Sequence, residues 1–201
     1  VPVSLLNTRR IGGTANQLSV ANGITPERGQ RDIPTDLLGA AKVTGSNGSF
    51  RYGALTAVED DISWLGCDNL NQPVNISGYG REFAVARLSY QLPGAAKKSV
   101  GYMGTYTSGA LYDAEIHSLD AHYTSSDGRL IADGQLVMSD RDEVTGYGAL
   151  FDVLYVSRPN LRHKFELDFM DDQIDFNDLG FLRRNDYVKG RYVMLYNKQK
   201  F

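Results

Sequence analysis

The sequence lacks several features on which large classes of protein depend. It has one cysteine, Cys67, which excludes an intrachain disulfide and any metal or redox motif built on cysteine pairs. It has no run of about 18 apolar residues, so no helix of this chain is expected to span a membrane. The first four residues show neither the basic nor the apolar stretch of a signal peptide. The chain is therefore either a mature product or part of something longer.

The sequence also lacks an excess of positive charge. Its formal net charge is −3, which argues against a nucleic-acid partner because phosphates attract basic proteins. Proline is scarce, at 6 residues, whereas tyrosine is abundant, at 12, and the 21 glycines are spread along the chain rather than collected into a linker. A chain of 201 residues is long enough for one domain with a sizeable core.

The first 34 residues differ from the rest of the chain. In residues 1–34, glycine and proline interrupt the chain and the apolar residues follow no sustained period, so we expect a long loop or an inward-folded constriction. Residues 35–201 alternate apolar and polar side chains with the period of two that is typical of strands. The predicted strands are residues 37–45, 50–59, 82–92, 99–106, 116–124, 130–139, 147–156, 163–170 and 186–196.

The connections between the predicted strands differ in length in a regular way. Short connections at one end alternate with longer ones at the other, which is how a transmembrane β-barrel is built. The short connections are residues 46–49, 93–98, 125–129 and 158–162, and the long ones are residues 60–80, 107–113, 140–146 and 171–184. A soluble antiparallel barrel or sandwich also has alternating strands, and it is the alternative fold.

Aromatic residues favour the membrane-spanning fold. They lie on the apolar face of the predicted strands, close to both strand ends, where the two interfaces of a bilayer favour aromatic side chains. The predicted aromatic girdle consists of Tyr90, Tyr123, Tyr155 and Tyr196 at the short-turn ends and of Tyr106, Tyr147 and Phe169 at the long-loop ends. We therefore predict an all-β protein, an antiparallel up-and-down transmembrane β-barrel.

The number of predicted strands points to a larger barrel. About nine strands is an odd number, whereas single-chain bacterial barrels have an even number. A barrel with unpaired edge strands would also expose backbone N–H and C=O groups to lipid. We therefore expect this chain to be a segment of a larger barrel, completed by the remaining strands of a longer parent chain or by another subunit.

The face opposite the aromatic residues carries charges of both signs, as the polar lining of a lumen would. Such charges either tune the selectivity of a pore or pair with one another across neighbouring strands. The candidate lumen-lining residues are Lys42, Arg51, Arg87, Asp120, His122, Asp133, Lys164, Glu166, Asp168, Lys189 and Arg191.

Two further clusters are weaker candidates for chemistry. Ser118, Asp120 and His122 share one face of a predicted strand, but the sequence has no Gly-x-Ser-x-Gly nucleophile elbow. An acidic loop could supply the several oxygen ligands that Ca²⁺ takes, although its spacing matches no EF-hand. The weak Ca²⁺ candidates in this loop are Asp171, Asp172, Asp175 and Asp178. We predict no catalytic residues, no metal site and no cofactor.

Five stretches of the chain, in order, carry a family resemblance. They are Thr8-Arg9-Arg10-Ile11-Gly12, residues 38–45, residues 53–58, residues 118–121 and residues 175–184. Together they resemble a bacterial outer-membrane β-barrel family of unknown function, whose members typically carry an N-terminal carbohydrate-binding domain of the family-nine type. The resemblance implies a location in the outer membrane of Gram-negative bacteria and a longer parent protein.

These patterns lead to three functional hypotheses. The first is a porin-like channel or uptake component for small hydrophilic solutes, with saccharides suggested by the resemblance. The second is a structural or partner-binding barrel, plugged by residues 1–34 or by a partner, that conducts nothing. The third and weakest is an outer-membrane hydrolase. In all three the partners are the lipid bilayer and further barrel strands, and nucleic acid is not a partner.

Overall fold

Antiparallel strands make up most of the chain, of which the computed structural model describes residues 3–14, 20 and 23–198. The helical elements in these ranges are two 3-10 turns, Thr8–Arg10 and Gln30–Asp32, and neither is long and apolar enough to cross a membrane. The strands are β1 (Thr25–Pro26), β2 (Leu37–Asn47), β3 (Phe50–Glu59), β4 (Ile62–Cys67), β5 (Pro73–Gly78), β6 (Glu82–Leu92), β7 (Lys97–Ser108), β8 (Asp113–Thr124), β9 (Leu130–Arg141), β10 (Val144–Arg158), β11 (Leu161–Met170) and β12 (Tyr187–Tyr196).

Nine of these strands form one antiparallel sheet with up-and-down topology. The order across the sheet is β2-β3-β6-β7-β8-β9-β10-β11-β12, so each strand lies beside its neighbour in the chain once β4 and β5 are set aside. The sheet is not closed, since β2 and β12 each pair with one neighbour in the described part of the chain. The predicted all-β, antiparallel up-and-down fold is confirmed, and the nine predicted strands correspond to the nine strands of this sheet.

The prediction of a plain loop over residues 60–80 is wrong. This connection contains β4 and β5, which pair with each other and, through β4, with the short strand β1 in the N-terminal region. Trp64 and Ile76 form the small buried core of this second sheet. The strands are short and Asp68–Gln72 between them is rich in turn residues, so the alternation is too brief to be recognised from the sequence.

The expected alternation of short and long connections holds only in part. The β9–β10 connection is a tight turn of Asp142 and Glu143, because both residues adopt a left-handed conformation, with φ of 54° and 66°, as a two-residue hairpin requires. The β7–β8 connection is also short, since β7 ends at Ser108 and β8 begins at Asp113. The long connections at this end of the sheet are therefore those over residues 60–81 and 171–186.

The pairing of the strands separates two faces of the nine-stranded sheet. The outer face is apolar and uncovered, and one of its cross-strand rows is Leu88, Tyr102, Leu119, Leu136, Ala149, Phe169 and Val188. The inner face carries the polar and charged residues and is partly covered by two segments, residues 3–7 and 171–186. Alternate side chains of a strand point to opposite faces, so one consistent register over nine strands is sufficient to segregate them.

The two covering segments form an apolar core against the inner face. Leu5, Ile174 and Phe176 are buried there against Ile116 and Val137 of the sheet. A second cluster joins Leu179 to side chains of β3 and β6, among them Ala57, Phe83 and Val85. Burial of these side chains holds residues 3–7 and 171–186 against the sheet.

Gly146 in β10 permits the closest approach of this loop to the sheet. A Cβ atom added at Gly146 would lie 2.2 Å from the backbone nitrogen of Ile174, far inside van der Waals contact. The absent side chain thus allows the backbone around Ile174 to lie directly on β10. Asp171 joins the loop to β10 by two hydrogen bonds. Its Oδ1 accepts from the Ile174 N–H at 2.7 Å, and its Oδ2 accepts from the Tyr147 N–H at 2.7 Å.

We expect Gly146→Val to destabilise the protein by roughly 1–3 kcal/mol, since the added side chain displaces the backbone of Ile174. Gly190→Val is the matched control, because Gly190 is also a strand glycine and an added Cβ there would meet nothing within 4 Å. The measurement is the midpoint of chemical unfolding followed by circular dichroism. Equal midpoints for the two variants would contradict the seating of the loop on β10.

Candidate functional site

The inner face has a covered half and a charged half, and the candidate site lies where they meet. The N-terminal segment runs along this face with its Val3 N–H donating to Oε1 of Gln135 at 3.0 Å. Two backbone hydrogen bonds join it to the β11–β12 loop: Asn7 N–H to the Leu179 carbonyl at 2.6 Å, and Phe181 N–H to the Ser4 carbonyl at 2.9 Å. The two segments therefore form one structural unit, which we call the inner plug (residues 3–13 and 171–186).

A buried ion pair anchors the inner plug at the end of the sheet that carries the long connections. Arg81 donates through Nε to Oε2 of Glu59 at 2.7 Å and through Nη2 to Oε1 at 2.8 Å, and both residues are 2% exposed. Oε1 of Glu59 also accepts from the Gly12 N–H at 2.8 Å, while Arg81 Nη2 reaches the Arg10 carbonyl at 3.2 Å. One ion pair thus joins β3, the start of β6 and the N-terminal segment.

The sequence did not single out Arg81, because a single basic residue before a strand carries no pattern. The strand register puts every candidate lumen-lining residue on the inner face of the sheet. These residues are Lys42, Arg51, Arg87, Asp120, His122, Asp133, Lys164, Glu166, Asp168, Lys189 and Arg191.

The central charged pair is Arg87 with Asp120, on strands separated by β7. The guanidinium contacts both carboxylate oxygens, with Nη2 at 2.9 Å from Oδ2. Gly101 of β7 lies between them, and a Cβ added there would be 2.7 Å from both Arg87 Nη2 and Asp120 Oδ2. The missing side chain is what lets the two charged groups meet across the intervening strand.

A second row of titratable residues lies one step closer to the short turns. His122, Asp133, Asp152, Glu166 and Arg191 occupy directly opposed positions on β8 to β12. His122 Nδ1 lies 2.6 Å from Oδ1 of Asp133, and His122 Nε2 lies 2.9 Å from Oγ1 of Thr124. Carboxylates opposed on adjacent strands repel one another. Water or cations that reach this row would weaken the repulsion between its carboxylates.

Asp152 is not among the predicted lumen-lining residues, although it lies on the same face. The alternation in residues 147–156 contained the signal, since Asp152 falls between Phe151 and Val153. Asp152 helps to line a cavity of about 230 Å³ below Val3 and Leu5 of the inner plug. Arg87, Asp120, His122 and Asp133 line the same cavity.

The charges on β11 and β12 form a ladder of ion pairs. Glu166 pairs with Arg191, whose Nη2 donates to Oε1 of Glu166 at 2.6 Å, and it also contacts Lys164. Lys189 Nζ lies 2.8 Å from Oδ2 of Asp168. These charges pair across neighbouring strands, which is one of the two arrangements expected from the sequence. The side chains of Lys189 and Arg191 remain about half exposed.

The structure does not bring Ser118, His122 and Asp120 together as a hydrolytic relay. Oγ of Ser118 accepts from Nε2 of Gln135 at 3.1 Å, His122 is engaged with Asp133, and Asp120 is engaged with Arg87. These separate partners give the three side chains structural roles on the inner face.

The acidic loop likewise fails to converge on a common point. Asp171 binds backbone N–H groups, Asp175 contacts Arg141 and Asn177, and Asp178 accepts from the Tyr112 hydroxyl at 2.9 Å. Asp172 is exposed. In the described ranges no group of three or more His, Cys, Asp or Glu side chains is placed to hold a metal ion. The carboxylates of Asp171, Asp175 and Asp178 instead stabilise the inner plug through the bonds named above.

The predicted girdle residues all lie on the outer face. They are Tyr90, Tyr106, Tyr123, Tyr147, Tyr155, Phe169 and Tyr196. Two histidines on the same face are shielded by tyrosines: Tyr102 OH lies 2.7 Å from His117 Nδ1, and Tyr192 OH lies 2.8 Å from His163 Nδ1. His117 and His163 on this face are thus each paired with a tyrosine hydroxyl.

Comparisons with known proteins find one family model and two solved structures that are similar to this chain. A family model described as "Domain of unknown function (DUF5916)" matches residues 3–200, and no curated protein matches the chain. Among solved structures, outer-membrane expressed OmpT of Vibrio cholerae is similar at 13% identity with a TM-score of 0.45, over 88% of this chain and 61% of that one. The in-vitro folded OmpT, an outer membrane protein of Vibrio cholerae, is similar at 14% identity with a TM-score of 0.43, over 89% and 62%. The chain thus spans less than two thirds of the length of these two structures.

We expect Glu59→Gln to destabilise the protein by about 3–5 kcal/mol, because removing one charge of a buried pair leaves the other charge uncompensated. Lys189→Gln is the control, since its ion pair with Asp168 is largely solvated and contributes about 0–1 kcal/mol. Chemical unfolding of both variants measures the difference. A loss for Glu59→Gln no larger than that for Lys189→Gln would show that the buried pair does not anchor the inner plug.

Proposed function

The chain belongs to the family described as "Domain of unknown function (DUF5916)", and we propose that it forms part of the wall of a bacterial outer-membrane β-barrel. The lumen of this barrel passes small hydrophilic solutes. The observation that carries the proposal is the segregation of the two faces of the nine-stranded sheet. One face is apolar and uncovered, and the other is polar, charged and partly filled.

The outer face supports a lipid environment. Leu119, Leu136 and Leu167 lie near its centre and are each more than half exposed, at 57%, 59% and 54%. A contiguous apolar surface over nine strands is unfavourable in water and typical of a surface that is covered. A bilayer covers such a surface, and the aromatic residues at its two rims suit the two bilayer interfaces.

The edges of the sheet support a larger barrel. β2 and β12 each have one paired edge in the described chain, and an unpaired backbone group in hydrocarbon costs several kcal/mol. We therefore propose that further strands complete the wall, either from a longer parent chain or from another subunit. By the family resemblance, that parent carries a carbohydrate-binding domain, which makes saccharides our proposed solutes.

The inner face supports a narrowed passage. Beside the inner plug, charged side chains of β6, β8, β9 and β10 line a cavity together with Val3 and Leu5, and rings or rows of charge are how pores select among solutes. In this arrangement the inner plug narrows the lumen without sealing it, because it covers the inner face at one end of the sheet only. No step of this function requires catalysis, and the proposal assigns none.

A plugged barrel without conductance is the second candidate, and one observation favours it. Ile174, Phe176 and Leu179 of the inner plug are fully buried at 0% exposure, and such apolar packing resists displacement more than a loosely held constriction would. In that case the barrel serves as a structural or partner-binding element of the outer membrane.

We expect the intact protein, inserted in a planar bilayer, to show steady single-channel steps whose ion selectivity depends on inner-face charge. Lys189→Glu should shift the ratio of cation to anion permeability toward cations by roughly fivefold for each of the two unit charges it changes. The reason is that one charge at 4 Å in water contributes about 1 kcal/mol. Lys98→Glu is the control, because Lys98 lies on the outer face. Equal shifts for both variants, or none for Lys189→Glu, would contradict a lumen lined by the inner face.

A second recording separates the narrowed channel from the plugged barrel. Replacing residues 172–183 by a short Gly-Ser linker removes the apolar part of the β11–β12 loop, and the same replacement of residues 68–72 at the tip of the β4–β5 hairpin is the control. For a narrowed channel we expect conducting wild type and larger steps after the first replacement. A silent wild type that conducts only after that replacement would establish the plugged barrel, and silence in all three would exclude a pore.

A further inference from the structure

The rim of the sheet at the short turns is strongly basic. The residues within these turns and beside them include Lys97, Lys98, Arg129, Arg158, Arg162 and Lys198. Asp127 is the only acidic residue in the four short connections, over residues 46–49, 93–98, 125–129 and 158–162. The opposite rim is rich in carboxylates, among them Asp113, Asp140, Asp142, Glu143, Asp171 and Asp172. The sheet therefore carries opposite charge at its two ends.

Three arginines of the basic rim lie at the β8–β9 and β10–β11 turns, on the two sides of the C-terminal end of β10, and we call them the arginine rim (Arg129, Arg158 and Arg162). Arg129 lies across the end of β10, where its Nε donates to the Val156 carbonyl at 2.9 Å and its Nη2 to the Ser157 carbonyl. Val156 is paired with Arg162 across the β10–β11 turn, and Arg158 follows Ser157 directly. Their side chains are all exposed. Arg162 shares the inner-face register of Lys164, so it reaches the rim from the inner side, whereas Arg158 follows Ser157, which contacts the outer-face His163.

The arginine rim lacks an ion-pair partner in the part of the chain that the structure describes. None of its three guanidinium groups forms an ion pair with a carboxylate of the described residues. Asp127, the nearest acid in sequence, is held within its own turn by the Ser125 hydroxyl at 2.6 Å and the Arg129 backbone N–H at 3.1 Å. These two hydrogen bonds, with the Arg129 charge as a smaller contribution, hold the pKa of the Asp127 carboxyl below its usual range.

An aromatic surface adjoins the arginine rim on the outer face. The ring of His163 is stacked between Tyr155 and Tyr192, with centroid distances of 6.2 Å and 6.1 Å. Oγ of Ser157, whose carbonyl accepts from Arg129, lies 3.0 Å from Nε2 of His163, so the aromatic stack and the arginines are linked through one residue. Tyrosine with an apolar body and a polar tip is suited to the headgroup level of a bilayer.

We propose that the arginine rim binds the phosphate group of an anionic phospholipid, whose acyl chains lie along the outer face beside Tyr155 and Tyr192. Arginine presents a planar fork of donors that matches phosphate oxygens. A free phosphate shares this chemistry, but the apolar surface next to the arginines gives a binding contribution only to a lipid. This inference rests on the proposed membrane location and is independent of whether the lumen conducts.

The charge of the opposite rim indicates which leaflet of the membrane the arginine rim contacts. Carboxylates repel lipid phosphates, so the acidic rim is the less favourable end for an anionic leaflet. Short turns lie on the periplasmic side of outer-membrane barrels. The arginine rim therefore faces the phospholipid leaflet, and lipid binding there adds to the loop arrangement in orienting the sheet across the membrane.

The test is native mass spectrometry of the intact protein folded in a non-ionic detergent, with phosphatidylglycerol and phosphatidylcholine of equal chain length at equal concentration. We expect the protein to retain phosphatidylglycerol preferentially. R158Q should reduce that preference about fivefold, and R162Q should reduce it less because Arg162 lies on the inner-face register. R158Q/R162Q should therefore reduce it by at least about fivefold. Because Arg129 also donates to backbone carbonyls, R129Q is measured separately and only after its fold is verified.

The control variant is R183Q/R184Q, which removes the same charge from the β11–β12 loop at the opposite end of the sheet and should leave the preference unchanged. Equal retention of the two lipids by the wild type, or an unchanged preference in R158Q/R162Q, would overturn the proposal. Displacement of the lipid by inorganic phosphate at equal concentration would reassign the arginines to a free anion and overturn it as well. A protein that folds in water and enters neither micelle nor bilayer would instead refute the membrane location itself.

Discussion

The register of one antiparallel ladder determines almost everything else in this protein. Nine strands pair continuously from β2 to β12, and successive side chains of each strand alternate between two faces. A slip of one residue in any pair would turn a whole strand over and place charge on the apolar face. The shifts that do occur lie at strand ends, near Leu37 and Arg158, where they leave the central rows aligned.

The ladder leaves the inner face with two different surfaces, and the inner plug uses only one of them. Towards the long connections the face offers Ile116, Val137 and Val85, and there the plug packs in an apolar core. Towards the short turns the face offers Asp120, Asp133 and other charged side chains, and there the space stays open. The boundary between packed and open space thus follows a change in side-chain chemistry along the same strands.

The charges of the inner face serve different purposes according to their solvation. The pair of Glu59 and Arg81 is buried, bonds to the Gly12 N–H and the Arg10 carbonyl, and holds the N-terminal segment against the sheet. The pairs on β11 and β12 are solvated on their basic side, so they contribute little to stability and much to the local potential. The arginine rim completes the series, since its charges have no partner among the described carboxylates and remain available to an external anion.

The sequence by itself determined the nine strands of the main sheet and the opposition of their apolar and polar faces, because alternation with a period of two is a local property of each strand. Segment 163–170 shows this well, since its charged residues all lie on the inner face as their spacing predicted. Contacts between residues far apart in the chain were decided only by the tertiary structure. No local pattern brings Arg81 to Glu59 and the Arg10 carbonyl, and none shows that Gly101 leaves room for Arg87 to reach Asp120. The tight β9–β10 turn and the inner plug belong to the same class, because backbone conformation at Asp142 and packing of Phe176 depend on what surrounds them rather than on the residues beside them.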